Sequence, residues 1–222
     1  VFSAKIPKIV THENKLDLKE CHHHLDVYLQ VLTPLIESKK LLAFLIQLPP
    51  SFNKEDHFEN LISFINEWPT DYKNESYHLV VEFRNKSWLN EETFNYLKKN
   101  SLTYCAVIEP KLPPRMDITN KDLVYIRFHG FGKKIWFDYL FSDEEIEKYS
   151  QMVKDVISSA GTIGIYFNNH FSGYAPKNSL MMMDKLNLSP RNTPEEIDIL
   201  EVKKKSGTIS KGQTSLDKYF SN

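Results

Sequence analysis

The amino-acid sequence predicts an α/β fold in which a parallel sheet curls as in a (β/α) barrel. Three features predict it: short apolar runs alternate with longer amphipathic stretches, the runs are rich in Val, Ile, Phe and Tyr, and they turn polar only at their carboxyl ends. Parallel neighbours need a crossover connection, which a helix between successive strands supplies.

The strand candidates, in order, are Val1–Ile6, Leu42–Leu48, His78–Arg84, Thr103–Ile108, Leu123–His129 and Thr162–Phe167. Helical spacing fills most of the gaps. Phe58, Leu61, Ile62 and Ile65 form one face of Asn53–Trp68, Phe94 and Leu97 one face of Glu91–Lys99, and Ile146, Tyr149, Met152, Val153 and Val156 one face of Asp143–Ser159. Ser142 followed by Glu145 is a capping-box start for the last of these. The barrel domain is expected over residues 1–188. From 189 to 212 the chain reads as a linker: Pro190 and Pro194 punctuate it, Glu195–Val202 could hold a short helix, Lys203–Lys205 is a charge run, and 206–212 is small and polar.

Composition bounds the function classes. The chain has 222 residues and 41% hydrophobic content, enough for one sizeable core. Its net charge of −1 supplies no global field for nucleic acid, so any work on DNA needs a local patch or a partner. Cys21 and Cys105 lie far apart, outside metal or redox spacings, as in a reduced intracellular protein. The apolar run Leu41–Leu48 is too short to span a bilayer. A soluble, cytoplasmic protein without membrane partners is the expectation. Val1–Ile6 already reads as a core strand, with neither a leader nor a methionine before it.

Side-chain parity along the strands locates the chemistry. Positions i and i+2 share a face, so Glu82 and Arg84 point together at the end of LVVEFR, as do Arg127 and His129 at the end of VYIRFHG. Gln47 ends LLAFLIQ, Glu109 ends YCAVIE, and Asn168 and Asn169 end GIYFNN. In a parallel barrel these ends converge on one rim, where active sites are built. A carboxylate, guanidiniums, an imidazole and amides suit an anionic or heavily hydroxylated ligand. Against this stands the fact that strand ends meet water anyway. Arg84 and Arg127 tip the balance, because a guanidinium behind an unbroken apolar stretch must be paired or functional if buried.

Three other features resemble sites. His22, His23 and His24 look like a metal box, but consecutive helical residues fan out about 100° apart and cannot converge, so a solvated helix start is expected. Met181–Met183 reads as helix packing. Trp68, Trp88 and Trp136 could stack on bases, yet core packing is the expectation for each.

The C-terminus carries a separate signal. Gln213, Leu216, Tyr219 and Phe220 place a glutamine, an aliphatic residue three positions on, and then an aromatic pair. In one turn of tight helix Leu216 and Tyr219 project together with Phe220 beside them, a plug on a polar tether suited to a groove. The alternative is a terminal helix folding back on its own core.

Residues 213–220 resemble the PCNA-interacting peptide of replication and repair proteins, which implies docking into the groove of the ring-shaped sliding clamp. The stretches FSAKIPKIVTHE, LLAFLIQLPPSF, VVEFRNKSW, VYIRFHG and IYFNNHFSGYAPKN resemble, in that family's order, the YecE-like family, a TIM-barrel group known as domain of unknown function 72. The resemblance implies that Lys5, His12, Gln47, Glu82, Arg84, Trp88, Arg127, His129, Asn168 and Asn169 are its characteristic polar positions. Two positions depart from the pattern: Asn85 stands where a histidine is usual and Glu109 where an aspartate is common. The family's opening strand segments also find no match, which leaves six strands where a closed TIM barrel needs eight. The missing strands either precede Val1 or come from a separate polypeptide such as a second copy, and a completing partner chain is the expectation.

The leading expectation is therefore a clamp-tethered TIM-barrel-like protein of DNA replication or repair. It would meet DNA through the clamp and hydrolyse phosphodiesters with arginine or divalent-metal assistance. Glu82, Arg84, Arg127 and His129 would be catalytic, and Lys5, His12, Gln47, Trp88, Asn168 and Asn169 would bind ligand. The rivals are a non-catalytic clamp adaptor and a barrel enzyme acting on a carbohydrate or small metabolite.

Overall fold

The computed structural model describes residues 1–69 and 77–189. Residues 190–222, with nearly all of the expected linker and the expected clamp-binding peptide, therefore lie outside the described residues. Strand β1 (Phe2–Lys5) leads through a π-helical turn (Ile9–Glu13) to α1 (Leu18–Glu37), then β2 (Leu41–Gln47), α2 (Lys54–Asn66) and β3 (His78–Glu82). After a short 3-10 turn (Lys86–Trp88) come α3 (Glu91–Lys99), β4 (Thr103–Ile108), β5 (Leu123–Phe128), α4 (Asp143–Ile157), β6 (Thr162–Phe167) and α5 (Tyr174–Lys185). All six predicted strands form within a residue or two of their expected limits, and they pair in parallel in chain order, β1 to β6.

Local chemistry sets the helix boundaries. Asp17, Asn53, Asn90 and Ser142 each accept a backbone N–H at the start of α1, α2, α3 and α4. At α4 both halves of the capping box form. Between β4 and β5 there is no helix; Pro110, Pro113 and Pro114 lack the N–H that a helix interior requires.

The strands are apolar on both faces, as parallel strands covered on each side must be. Outward-facing Phe44, Ile46, Val81, Phe83, Ile126 and Phe128 pack with Leu25 and Leu29 of α1, Leu61 and Phe64 of α2, Leu97 of α3 and Ile146 and Val153 of α4. Ala43, Leu45, Val80, Cys105, Val107 and Tyr125 form a separate inner cluster, closed by Leu112 from the helix-free β4–β5 connection. The sheet is strongly curled. Ser3 Oγ of β1 lies 2.8 Å from the Tyr125 hydroxyl of β5, so strands four places apart in the sheet touch across the concave face. The architecture is thus a TIM-barrel-like half-barrel, with β1 and β6 as its edges among the described residues.

Trp68 and Trp88 are core residues as expected, but Trp136 is only partly buried, on the loop before α4. Among the described residues no helix is long and apolar enough to cross a membrane. Phe44 is fully buried against Tyr28, Trp68 and Tyr77. Phe44→Ala should therefore lower unfolding free energy by about 3–5 kcal/mol, read as a shifted midpoint at unchanged slope in urea denaturation.

Candidate functional site

The inner-face positions at the carboxyl ends of the strands assemble a cup around Glu82. This residue ends β3 and is fully buried, where an isolated carboxylate would be costly. Its oxygens are saturated instead. Oε1 accepts from Gln47 Nε2 at 2.8 Å and Arg84 Nε at 2.7 Å, and Oε2 accepts from Arg127 Nη1. Burial opposes its ionisation, but His129, Arg127 and Arg84 together outweigh burial and hold the carboxyl well below the usual range. Glu82 is therefore an anion that locks two guanidiniums, rather than a free base.

Parity places these groups, and the stagger of the sheet lets them meet. Gln47 is in register with Glu82 across β2 and β3, whereas Arg127 stands beside Val107 and reaches back to Glu82. His129 continues the β5 ladder, its N–H bonded to Ile108 O at 3.0 Å, and Asn168 extends β6 with its N–H on Phe128 O at 2.8 Å.

His129 Nε2 lies 3.1 Å from Arg84 Nη2 and 3.3 Å from Glu82 Oε1. A guanidinium can only donate, so Nε2 accepts from Arg84 where it carries no proton and donates to Glu82 where it does. Burial favours the neutral ring and lowers its pKa, outweighing the hydrogen bond and charge of Glu82. On the other side of the ring Asn168 Nδ2, a donor, lies 3.1 Å from Nδ1, which accepts when it carries no proton. Lys5 Nζ donates to Gln47 Oε1 at 3.3 Å, and its pKa is lowered by partial burial and by Arg127. His12, on the π-helical turn, is half-exposed. Burial and then Lys5 and Lys8 lower its pKa.

Two residues predicted to bind ligand are structural. Trp88 is fully buried on the outer side, stacked on Phe83 and Phe52, with its indole N–H donated to Phe52 O. Asn169 is also buried, because successive strand-end residues face opposite ways. Its Nδ2 ties Tyr139 O to Asn178 Oδ1, each at 2.8 Å.

Conversely, Glu109 belongs to the cup although the expected catalytic set omits it. It is 3% exposed and lies 3.4 Å from Arg84 Nη1, and its Oε2 has no hydrogen-bond partner among the described residues. Burial pushes its pKa up against the opposing pull of Arg84. Parity with Cys105 and Val107 on the inner face was the signal for it.

The histidine run stays outside the cup: exposed His22 pairs with Asp26 at 2.8 Å, one turn along α1. Both cysteines are free and buried. Among the described residues no three His, Cys, Asp or Glu side chains converge to hold a metal, and the Glu82 oxygens are already occupied. The cup therefore does not fit a divalent cation; its donor set is one for anions.

Comparisons with known proteins agree with this frame. The sequence pattern of the family described as "Protein of unknown function DUF72" matches residues 1–199. The UPF0759 protein YunF of Bacillus subtilis (strain 168) is 24% identical over 197 residues, covering 78% of this chain and 68% of YunF. Among solved structures, a DUF72 family protein of Thermotoga maritima MSB8 aligns with a TM-score of 0.70 at 32% identity, over 84% of this chain and 73% of that one. A DUF72 family protein of Enterococcus faecalis V583 aligns at 0.67 with 27% identity, over 85% and 71%.

The histidines give a pH test. His12, His78 and His129 all have folded pKa values lowered first by burial. Their unfolded counterparts titrate near about 6.5 and take up protons first as pH falls. Their contribution to stability is thus present above about pH 6.5 and is lost below it, towards the lower folded values. His129→Gln should flatten this limb in urea titrations between about pH 7 and 5, more than substitution of half-exposed His12 does.

Proposed function

The chain belongs to the DUF72 family, and we propose that its cup around Glu82 binds the phosphate group of a phosphate ester. The observation that carries this reading is a charge imbalance: Lys5, Arg84 and Arg127 converge on one ionised carboxylate whose oxygens are already engaged. Even with Glu109 ionised the three cations outnumber the two carboxylates, and burial shifts Glu109 towards its neutral acid. Arg127 Nη2 has no partner among the described residues, and Lys5 gives Gln47 only one of its three N–H donors. Such fixed donors match the oxygens of a phosphate.

The same set supports phosphodiester hydrolysis. Guanidiniums held in place beforehand stabilise the charge that gathers on the phosphoryl oxygens. His129 is committed to Arg84 and Asn168, so the neutral imidazole available to take a proton from an attacking water is His12. As the new P–O bond forms and the ester bond breaks, the carboxyl of Glu109 supplies the proton to the departing oxygen. If the protein is instead a non-catalytic adaptor, the cup binds phosphate without turnover.

Calorimetric titration with inorganic phosphate tests the cup. Arg127→Ala and Glu82→Ala should each weaken binding at least tenfold, while alanine at His22, His23 and His24 leaves it unchanged. Equal affinities for the Arg127 variant and the parent would remove the reading. Incubation with flap, nicked and abasic duplexes, with and without divalent metal, separates hydrolase from adaptor.

A second reading rests on the residues Gln213, Leu216, Tyr219 and Phe220. We propose that they dock the chain onto a DNA sliding clamp and so deliver the cup to DNA in replication or repair, which a chain of net charge −1 needs a partner to achieve. Plug residues behave as interface hot spots, so Leu216→Ala or Phe220→Ala should cost about 2 kcal/mol or more, roughly a thirtyfold loss of clamp affinity. Unchanged clamp affinity in both variants would dismiss the tether.

A further inference from the structure

Between His129, at the rim of the cup, and α4 the chain makes a tight turn that carries Trp136. Gly130 has φ 97°, and a Cβ there would lie 2.5 Å from the Trp136 carbonyl oxygen and 2.7 Å from Tyr139 Cβ. A Cβ at Gly132 would lie 2.0 Å from the Ile135 carbonyl oxygen, so both positions require glycine for close approach of the backbone. Within the turn, Gly132 N–H donates to Trp136 O at 3.1 Å and Asp138 N–H to Ile135 O at 3.0 Å. Its base is pinned where Tyr139 donates its hydroxyl to Glu145 and accepts Asn169 Nδ2 at its carbonyl.

The backbone at Trp136 is therefore well determined, yet its side chain is only partly buried and is no part of the core. The Lys111 ammonium sits 4.9 Å from the centre of the indole. Lys111 is exposed and forms no ion pair among the described residues, although it lies within electrostatic range of Glu109. Glu109, two residues before Lys111 in the chain, is 3.4 Å from Arg84, so Lys111 links the indole to the rim of the cup. Exposed Lys133 and Lys134 add positive charge on the same turn. Neighbouring Phe137 differs from Trp136 in being already stacked on His170, with centroids 5.0 Å apart.

We infer that Trp136 and Lys111 form a second subsite, which takes the base of a mononucleotide whose phosphate lies in the cup. Every base presents a π face to an indole, and a bare sugar does not. An unpaired ammonium over one face of the ring suits the carbonyl oxygens and phosphate of a ligand stacked on the other. This inference rests on the cup being a phosphate site, and the two can fail separately.

The test is isothermal titration of the full chain with inorganic phosphate, ribose 5-phosphate and adenosine 5′-monophosphate. The parent should bind the nucleotide at least about tenfold more tightly than the sugar phosphate. Trp136→Ala should erase that difference while leaving inorganic phosphate affinity within about twofold, and Trp136→Phe should keep most of it. Unchanged thermal unfolding of both variants shows that the turn survives. Adenosine monophosphate should also quench tryptophan emission in the parent and not in Trp136→Phe, since Trp68 and Trp88 are buried. Equal affinities for the two esters in the parent, or a preference that persists in Trp136→Ala, would overturn the subsite and leave the cup standing. Absence of phosphate binding to the parent would overturn the cup, and the subsite with it.

Discussion

The buried negative charge of Glu82 is the constraint on which the rest of the site depends. A carboxylate out of contact with water is tolerated only if enough donors meet it, and here those donors are Gln47, Arg84 and Arg127 from three different strand ends. The dependence is mutual. The guanidiniums are themselves largely withdrawn from solvent, with side chains 18% and 12% exposed; without Glu82, Arg127 would be an unpaired cation and Arg84 would keep only Glu109. Breaking such a network typically costs on the order of 3–5 kcal/mol. That coupling holds the remaining donors still before any ligand arrives, which is the condition under which fixed charges act strongly on a transition state.

The curl of the sheet makes the network possible. In a flat sheet, β1 and β5 would be too far apart for Ser3 to reach Tyr125. Curling brings Lys5 from the first strand and His129 from the fifth towards the same carboxylate. Below this polar layer the inner face is filled by Ala43, Leu45, Val80, Cys105 and Val107, so the cup has an apolar floor that strengthens every charge interaction above it. Cys105 belongs to that floor: burial raises its thiol pKa well above the usual range and leaves it unreactive. The shared fold with the Thermotoga and Enterococcus proteins concerns this frame, and a fold alone does not fix a reaction.

Local and overall electrostatics also differ in sign. The whole chain is nearly neutral at −1, yet the strand-end surface gathers Lys5, Lys8, Arg84, Lys111 and Arg127 around one ionised carboxylate. Two carboxyls of the same cup are driven in opposite directions, Glu82 down by its cationic partners and Glu109 up by burial. Such opposite shifts move the titrations of the two carboxyls apart.

By itself, the sequence determined the parallel α/β alternation, the limits of β4, β6 and α3, the capping box of α4, and the convergence of Gln47, Glu82, Arg84, Arg127, His129 and Asn168. Each of these follows from a periodicity of two or 3.6 residues, or from a local hydrogen bond, and such signals span only a few neighbouring positions. Only the tertiary structure decided what depends on distant neighbours. Trp88 and Asn169 look polar-capable in the chain, but Trp88 finds its partner in the Phe52 carbonyl and Asn169 in Asn178 and Tyr139. Glu109 carries the same parity signal as Glu82, yet only packing showed that it shares Arg84 with it. The choice of ionised Glu82 over Glu109 was likewise illegible in sequence, because it turns on how many donors the curled sheet brings to each carboxylate.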